Sequence, residues 1–356
     1  MTGEMDLGQL RGSSSGPARR ADGPTGPRLR GVRADAAARA RALEQEPAAT
    51  PYQIGIVFDV WRDLEFEHPF FGPALTGAKE RAWAHGADLV LLQPFPRRPV
   101  SSEPLIPENA DWYVQRVRAF GLAGVITFGT VAFWPEIQGL VAAEIPCVAI
   151  DDYLLGVRAS HVSSDNVDGG RQAVAHLLSV GRRRIGILTG SAQSAVSGDR
   201  RRGWETELER AGLHADAELC VECGWLEERA RDGMRRLLSL PEPVDAVFAQ
   251  SDDMAVGAMR AIAEAGLRVP EDVAVVGFDD SQLAEMTDPP LTSVRQDPVG
   301  LGLAAAEVLL QMVEHPDEPV AVAVVPVELI VRASTATSLA APADAADADS
   351  PPDEGD

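Results

Sequence analysis

Two pairs of aspartates bracket one apolar stretch. The segment "SDDMAVGAMRAIAEAGLRVPEDVAVVGFDD", residues 251–280, opens on Ser251, Asp252 and Asp253 and closes on Asp279 and Asp280, with mostly small and aliphatic residues between. A carboxylate at the mouth of a buried segment suits a polyhydroxylated or amine-bearing small molecule, whose donors it accepts in a partly dehydrated cleft. Ser251 or Asp252 is expected to cap a helix starting near Met254, and Gly266, with Pro270 beyond it, to end that helix. The capping role suits Asp252. Asp279 stands at the end of a strand with no helix clearly following, which points to ligand contact. The flanking strands "DAVFAQ" and "VAVVGFD" should run parallel and bring Ser251 and Asp279 to one rim, where open α/β sheets bind ligands.

A second polar cluster lies in "SAQSAVSGDRRRGW", residues 191–204, read as a loop leading into a helix that begins near Arg200. An arginine there can fork two hydrogen bonds to vicinal hydroxyls or to a carboxylate. Arg201 and Arg202 read as solvated. Trp225, after the strand "LCVEC", has the type to stack on a sugar or base ring, or to pack between elements. In "EHPFFGPA", Phe70 and Phe71 open a helix; two adjacent aromatics there cannot both face the core, so one turns to the cleft.

Catalysis needs more than this. No phosphate-cradling glycine loop, dinucleotide fingerprint, zinc-protease motif or nucleophile with its base is present, and the six histidines are scattered, so the chain reads as a binding protein, not an enzyme. Cys220 and Cys223 form one C-x-x-C without a second ligand pair, so with Cys147 they read as reduced thiols, and neither metal nor cofactor is expected. No apolar run approaches the roughly 18 residues of a membrane helix and no secretory signal opens the sequence, which makes the cytoplasm the expected compartment. The net charge of −22 opposes nonspecific adhesion to nucleic acid. Any DNA contact would need a local basic module.

The elements that must hold these residues are legible as a rhythm. Short apolar runs ("QIGIVFD", "ADLVLLQ", "LAGVITFG", "IPCVAID", "RRIGILTG", "DAVFAQ", "VAVVGFD") alternate with helical segments, the mark of βαβ units and parallel sheets buried on both faces. Roughly ten strands are too many for one comfortable open sheet, so two doubly wound parallel-sheet lobes with a cleft between them are expected. Residues 1–50 carry eight arginines against six acids and show no period, which reads as a disordered arm, apart from the short helix-prone "ADAAARARALEQE". Residues 337–356, with six acids and no base, read as a solvated tail.

Over the body, 51–336, the sequence resembles the effector-binding core of the lactose-repressor and galactose-repressor (LacI/GalR) family, of periplasmic-binding-protein type I fold. The resemblance rests on a linked series: "PFF", "SSDNVDGGRQAVAHLLSVGRRRIGILTG", "DRRRGWETELERAGL", "SDDMAVGAMRAI", "VPEDVAVVGFDD", "PPLTSVRQD" and "RAST". It implies one lobe over about 52–158 plus 293–317 and a second over about 159–292 plus 318–335. It also implies an effector site of Phe70, Phe71, Arg200, Trp225, Ser251 and Asp279, with Ser251 where the family often has Asn. The effector would be a sugar or related polyol before a purine. The family works as a homodimer whose lobes move on effector binding and so change the spacing of two headpieces on operator DNA. Residues 1–30 contain nothing like its helix-turn-helix. "GVRADAAARARAL" resembles the hinge helix, which would make Arg39, Arg41 and Leu43 DNA contacts, with Arg41 where the family inserts a leucine wedge. Two functions are therefore expected: a transcriptional regulator lacking its headpiece in this form, or a stand-alone small-molecule-binding protein that touches no DNA.

Overall fold

The computed structural model describes residues 52–58, 69–92, 111–128, 134–151, 153, 160–317 and 321–335. The expectations for the arm, including Arg39, Arg41 and Leu43, and for the acidic tail lie outside the described residues. The first lobe opens with β1 (Gln53–Phe58), α1 (Phe71–Ala84), β2 (Asp88–Leu91), α2 (Trp112–Phe120), β3 (Gly124–Phe128), α3 (Trp134–Ala142), β4 (Cys147–Ile150) and β5 (Ser160–Ser164). The second follows with α4 (Asn166–Ser179), β6 (Ile185–Thr189), α5 (Ala195–Arg210), β7 (Cys220–Glu222), α6 (Glu227–Leu238), β8 (Ala246–Ala249), α7 (Asp252–Glu264), β9 (Ala274–Asp279), α8 (Gln282–Met286) and β10 (Thr292–Arg295). The chain then returns through α9 (Pro298–Glu314) and β11 (Val322–Val325) before ending in β12 (Glu328–Ile330).

Two six-stranded sheets result, ordered β11-β5-β4-β3-β1-β2 and β12-β10-β9-β8-β6-β7. Every described pairing is parallel except that of β10 with β12. Central strands such as β3, β6 and β8 are almost wholly apolar because helices cover both faces. In β1 the pleat sends Ile54 and Ile56 into one core and Val57 into the other. β3, β6 and β8 are buried at every residue. Each fully buried aliphatic side chain contributes about 1.5–3 kcal/mol. The closing "RAST" fastens the second sheet: the buried Ser334 hydroxyl donates to the Val275 carbonyl and accepts from the Thr292 amide.

The chain passes between lobes three times, each time later than the sequence reading placed it. β5 and β11 belong to the first sheet and β10 to the second, so the crossings follow Ser164, Arg295 and Val325, not residues 158, 292 and 317. Two helix starts also move. α7 begins at Asp252, two residues before Met254, and α5 begins at Ala195, because Ser194 accepts a hydrogen bond from the Ser197 amide and caps it. Arg200 therefore sits within a helix, not in a loop.

Close helix pairs set the spacing of each lobe. α9 lies so near α1 that a Cβ on Gly302 would stand 1.8 Å from the Ala74 carbonyl oxygen. In the second lobe a Cβ on Gly170 of α4 would stand 2.3 Å from the carbonyl oxygen of Arg200. That approach fixes the backbone from which Arg200 projects.

Candidate functional site

The site is built from the carboxyl ends of strands. β9 ends in Phe278 and Asp279, and Arg200, only 2% exposed, sets its guanidinium carbon over the Phe278 ring at 3.6 Å from the centroid. Its Nε donates to Asn166 Oδ1 at 2.8 Å and its Nη1 to the carbonyl of Gln250 at 2.5 Å. Two carboxylates face it beyond hydrogen-bond range: Asp279 Oδ1 is 3.9 Å from Nη1, and Asp151 Oδ2, just past β4 in the first lobe, is 3.7 Å from Nη2. Burial lowers the pKa of Arg200, and Asp279, Asp151, Asp252 and Asp199 oppose that shift. The guanidinium stays charged.

Each carboxylate is held by a third party. Asp279 accepts from Gln296 Nε2 at 2.7 Å; Gln296 in turn accepts from the Ser164 hydroxyl at 2.6 Å, which ties two of the lobe crossings together. Asp151 accepts from the Ser164 amide and from Asn166 Nδ2. Desolvation raises the pKa of Asp279 well above the usual carboxylate range against the pull of Arg200, although 23% of its side chain still meets solvent.

Of the residues expected from sequence, the structure brings Arg200, Asp279 and Trp225 together. Trp225 adopts φ +67° and its indole covers Gly190, where a Cβ would stand 2.1 Å from the ring; the Arg200 guanidinium lies 5.5 Å from the ring centroid. Ser251 follows Gln250, but its hydroxyl caps α7 by accepting from the Met254 amide. Asp252 is not the cap. Phe70 and Phe71 belong to the other lobe: Phe70 is buried in the first-lobe core, and the half-buried Phe71 packs edge-on against Phe128 at the end of β3. Asp151, Asn166, Gln250, Phe278 and Gln296 were not anticipated. Asp151 and Gln250 are each the first polar residue after a buried strand, the one signal that marks them.

A contact also spans the lobes beside the site. The Tyr153 hydroxyl donates to both carboxylate oxygens of Asp199, at 3.0 and 3.1 Å, while its ring stacks on His161. Among the described residues no three His, Cys, Asp or Glu side chains converge to hold a metal, and no helix is long and apolar enough to cross a membrane. The thiols of Cys147 and Cys223 are pushed up to about 12 by burial, which leaves them poor nucleophiles.

Residues 174–335 match the family model described as a periplasmic binding protein-like domain. The chain is 39% identical over 178 residues to the HTH-type transcriptional regulator CelR of Thermobifida fusca, covering 50% of this chain and 52% of that protein. It is 34% identical over 190 residues to the ribose operon repressor of Haemophilus influenzae, covering 53% and 57%. A solved CelR–cellobiose complex superimposes with a TM-score of 0.71 at 29% identity, over 86% of this chain and 91% of that one. Over these lobes the chain is similar to LacI-family transcriptional regulators. A LacI-family regulatory protein from Chloroflexus aggregans superimposes nearly as well, with a TM-score of 0.70 at 27% identity over 80% and 98% of the two chains. The chain spans about half the length of the first two relatives, and the matching family model covers the residues that include Arg200 and Asp279.

Proposed function

We propose that this chain is the sensing part of a LacI/GalR-type transcriptional regulator, in which a small polar effector lodges between the lobes against Arg200, Asp279 and Asp151. The effector is a sugar or related polyol before a purine. A hydroxylated guest offers donors to the two carboxylates and acceptors to the guanidinium, while Trp225 supplies an apolar face of the kind that sugars stack on. The observation that carries the reading is the Arg200–Asp279 pair, buried at the strand ends with its charges held apart. That one relative is named a ribose operon repressor and another was solved with cellobiose supports a sugar. In this reading the protein works in the cytoplasm as a homodimer that couples effector binding to operator DNA.

The experiment is a thermal-shift screen of the full chain against cellobiose, D-ribose, other neutral sugars, polyols and nucleosides, followed by titration calorimetry on each hit. A stabilising sugar supports the reading; a screen in which only nucleosides stabilise reverses the choice of effector, and one with no hit rejects the site. A mobility shift on the DNA upstream of the coding sequence, with and without the hit, tests the coupling.

A further inference from the structure

Asp252 opens α7 but serves another element. Its carboxylate, in a residue 1% exposed, accepts from the Ser293 hydroxyl of β10 at 2.6 Å through Oδ1 and from the Ser281 amide at 2.7 Å through Oδ2. The space it occupies is left by a glycine, since a Cβ on Gly277 of β9 would stand 2.5 Å from Oδ1. A buried charge placed against the back of the strand that carries Asp279 needs a reason, because burial of a carboxylate is costly.

The turn behind which it sits supplies one. Asp279 and Asp280 adopt φ of +107° and +51°, two successive non-glycine residues in a region that L-amino acids rarely visit. Such a turn persists only where its surroundings hold it. Asp280 is held by ion pairs to Arg295 and Arg332 and by its amide, which donates to the same Ser293 hydroxyl that donates to Asp252. Ser281, the next residue, is held by Asp252 directly. The carboxylate thus closes a bonded ring from α7 through β10 to the turn.

We propose that Asp252 is a positioning residue for the effector, a buried acceptor that holds the left-handed Asp279–Asp280 turn and so sets the Asp279 carboxylate against Arg200. Its part in recognition rests on the function proposed above. Its hold on the turn does not, and is measured in the effector-free protein.

The test compares the parent with Asp252→Ala, Asp252→Asn and Ser293→Ala. Asparagine can keep both bonds, with Oδ1 accepting from the Ser281 amide and its amide nitrogen donating to Ser293; alanine keeps neither. Backbone hydrogen exchange at Asp280 and Ser281 should accelerate about tenfold in Asp252→Ala and stay within about threefold of the parent in Asp252→Asn, with β6 and β8 unchanged. Exchange at the parent's rate in a folded Asp252→Ala overturns the proposal. Should that variant fail to fold, Ser293→Ala decides at the Ser281 amide alone, which bonds Asp252 and not Ser293: faster exchange there supports the hold, and exchange at the parent's rate overturns it. In calorimetric titrations with cellobiose and D-ribose, Asp252→Ala should weaken whichever sugar the parent binds by about tenfold, and Asp252→Asn should restore it. Equal affinities in parent and alanine variant also overturn the positioning role. A parent that binds neither sugar counts against the proposed effector class and leaves the exchange measurement to decide on Asp252.

Discussion

Arg200 Nη1 and Asp279 Oδ1 face each other at 3.9 Å without a hydrogen bond between them. Opposite charges this close in a desolvated site would ordinarily close the gap. Each is held back by a neighbour from another element, Arg200 by the Gln250 carbonyl and Asn166, Asp279 by Gln296. Strong protein partners have replaced water on both groups, yet neither has spent its last bond on the other. A hydroxyl arriving at the pair meets an acceptor and a charged donor together.

Replacing either member should therefore remove binding, and for different reasons. Asp279→Ala takes away the acceptor and leaves Asp151, 3.7 Å from Nη2, as the carboxylate paired with Arg200 among the described residues. Arg200→Ala leaves Asp279 and Asp151 buried near one another without a cation. Loss of one partner from a buried charged pair costs about 2–5 kcal/mol. Each variant should lose the thermal shift that the effector gives the parent; a shift retained in both variants would place the site elsewhere.

How much of this was legible follows from which residues advertise themselves. The strands could be read because burial on both faces leaves them continuously apolar, as in β3 and β8. β5 escaped assignment to the first lobe because it reads Ser-His-Val-Ser-Ser, a polar string whose serines are buried: Ser164 donates to Gln296, and Ser160 accepts from the Ala321 amide. Arg200 and Asp279 were found through their motifs. Asp151 and Gln296 were not, since Gln296 bonds Ser164 from a second crossing and Asp151 meets Arg200 from the opposite lobe, relations between distant segments that no local pattern encodes. Of the adjacent pair Phe70 and Phe71, Phe70 lies in the first-lobe core and Phe71 is half-buried.

The buried Asp252 makes stability depend on pH in a definite direction. Burial raises its pKa from 3.8 to about 6, outweighing the hydrogen bonds from Ser293 and Ser281 that lower it, with Asp280 adding repulsion. The folded chain thus holds this proton more tightly than the unfolded one. Its contribution to stability is fully present below about 3.8 and is lost as pH rises through about 6. That displacement corresponds to a loss on the order of 3 kcal/mol. Asp252→Asn, which cannot ionise, should be more stable than the parent at neutral pH, with the difference shrinking as the pH falls toward 4. Urea denaturation at several pH values measures it; a difference that does not change with pH would show that Asp252 does not titrate in this range.

The first lobe offers a stability test remote from the site. Gly302 of α9 and Gly77 of α1 let the two helices touch backbone to backbone, and added Cβ atoms would stand 1.8 Å from the Ala74 oxygen and 2.0 Å from the Val299 oxygen. Neither obstacle is a flexible side chain, so the helices must separate to admit a methyl. Gly302→Ala should cost about 1–3 kcal/mol despite alanine's better helix propensity. The melting temperature should fall; a rise would mean that the helix pair has room to spare.

Tyr153 and Asp199 give the lobes a direct bond beside Arg200. The tyrosine follows β4 in the first lobe, and Asp199 precedes Arg200 on α5 in the second, so the bond ties the helix bearing the guanidinium to the opposite lobe. Asp199 also pairs with Arg202, which remains to satisfy it when the hydroxyl is removed. Tyr153→Phe should therefore leave the fold intact while loosening the lobes, because a neutral-to-charged hydrogen bond contributes about 1.5–3 kcal/mol. Less of the protein would then hold the arrangement in which Asp151 lies 3.7 Å from Arg200, and effector affinity should fall by the same fraction. Small-angle scattering should show a larger radius of gyration in the effector-free variant, and titration a weaker dissociation constant. If scattering and affinity both match the parent, the hydroxyl bond does not hold the lobes, and the ties at Ser164 and Gln296 suffice alone.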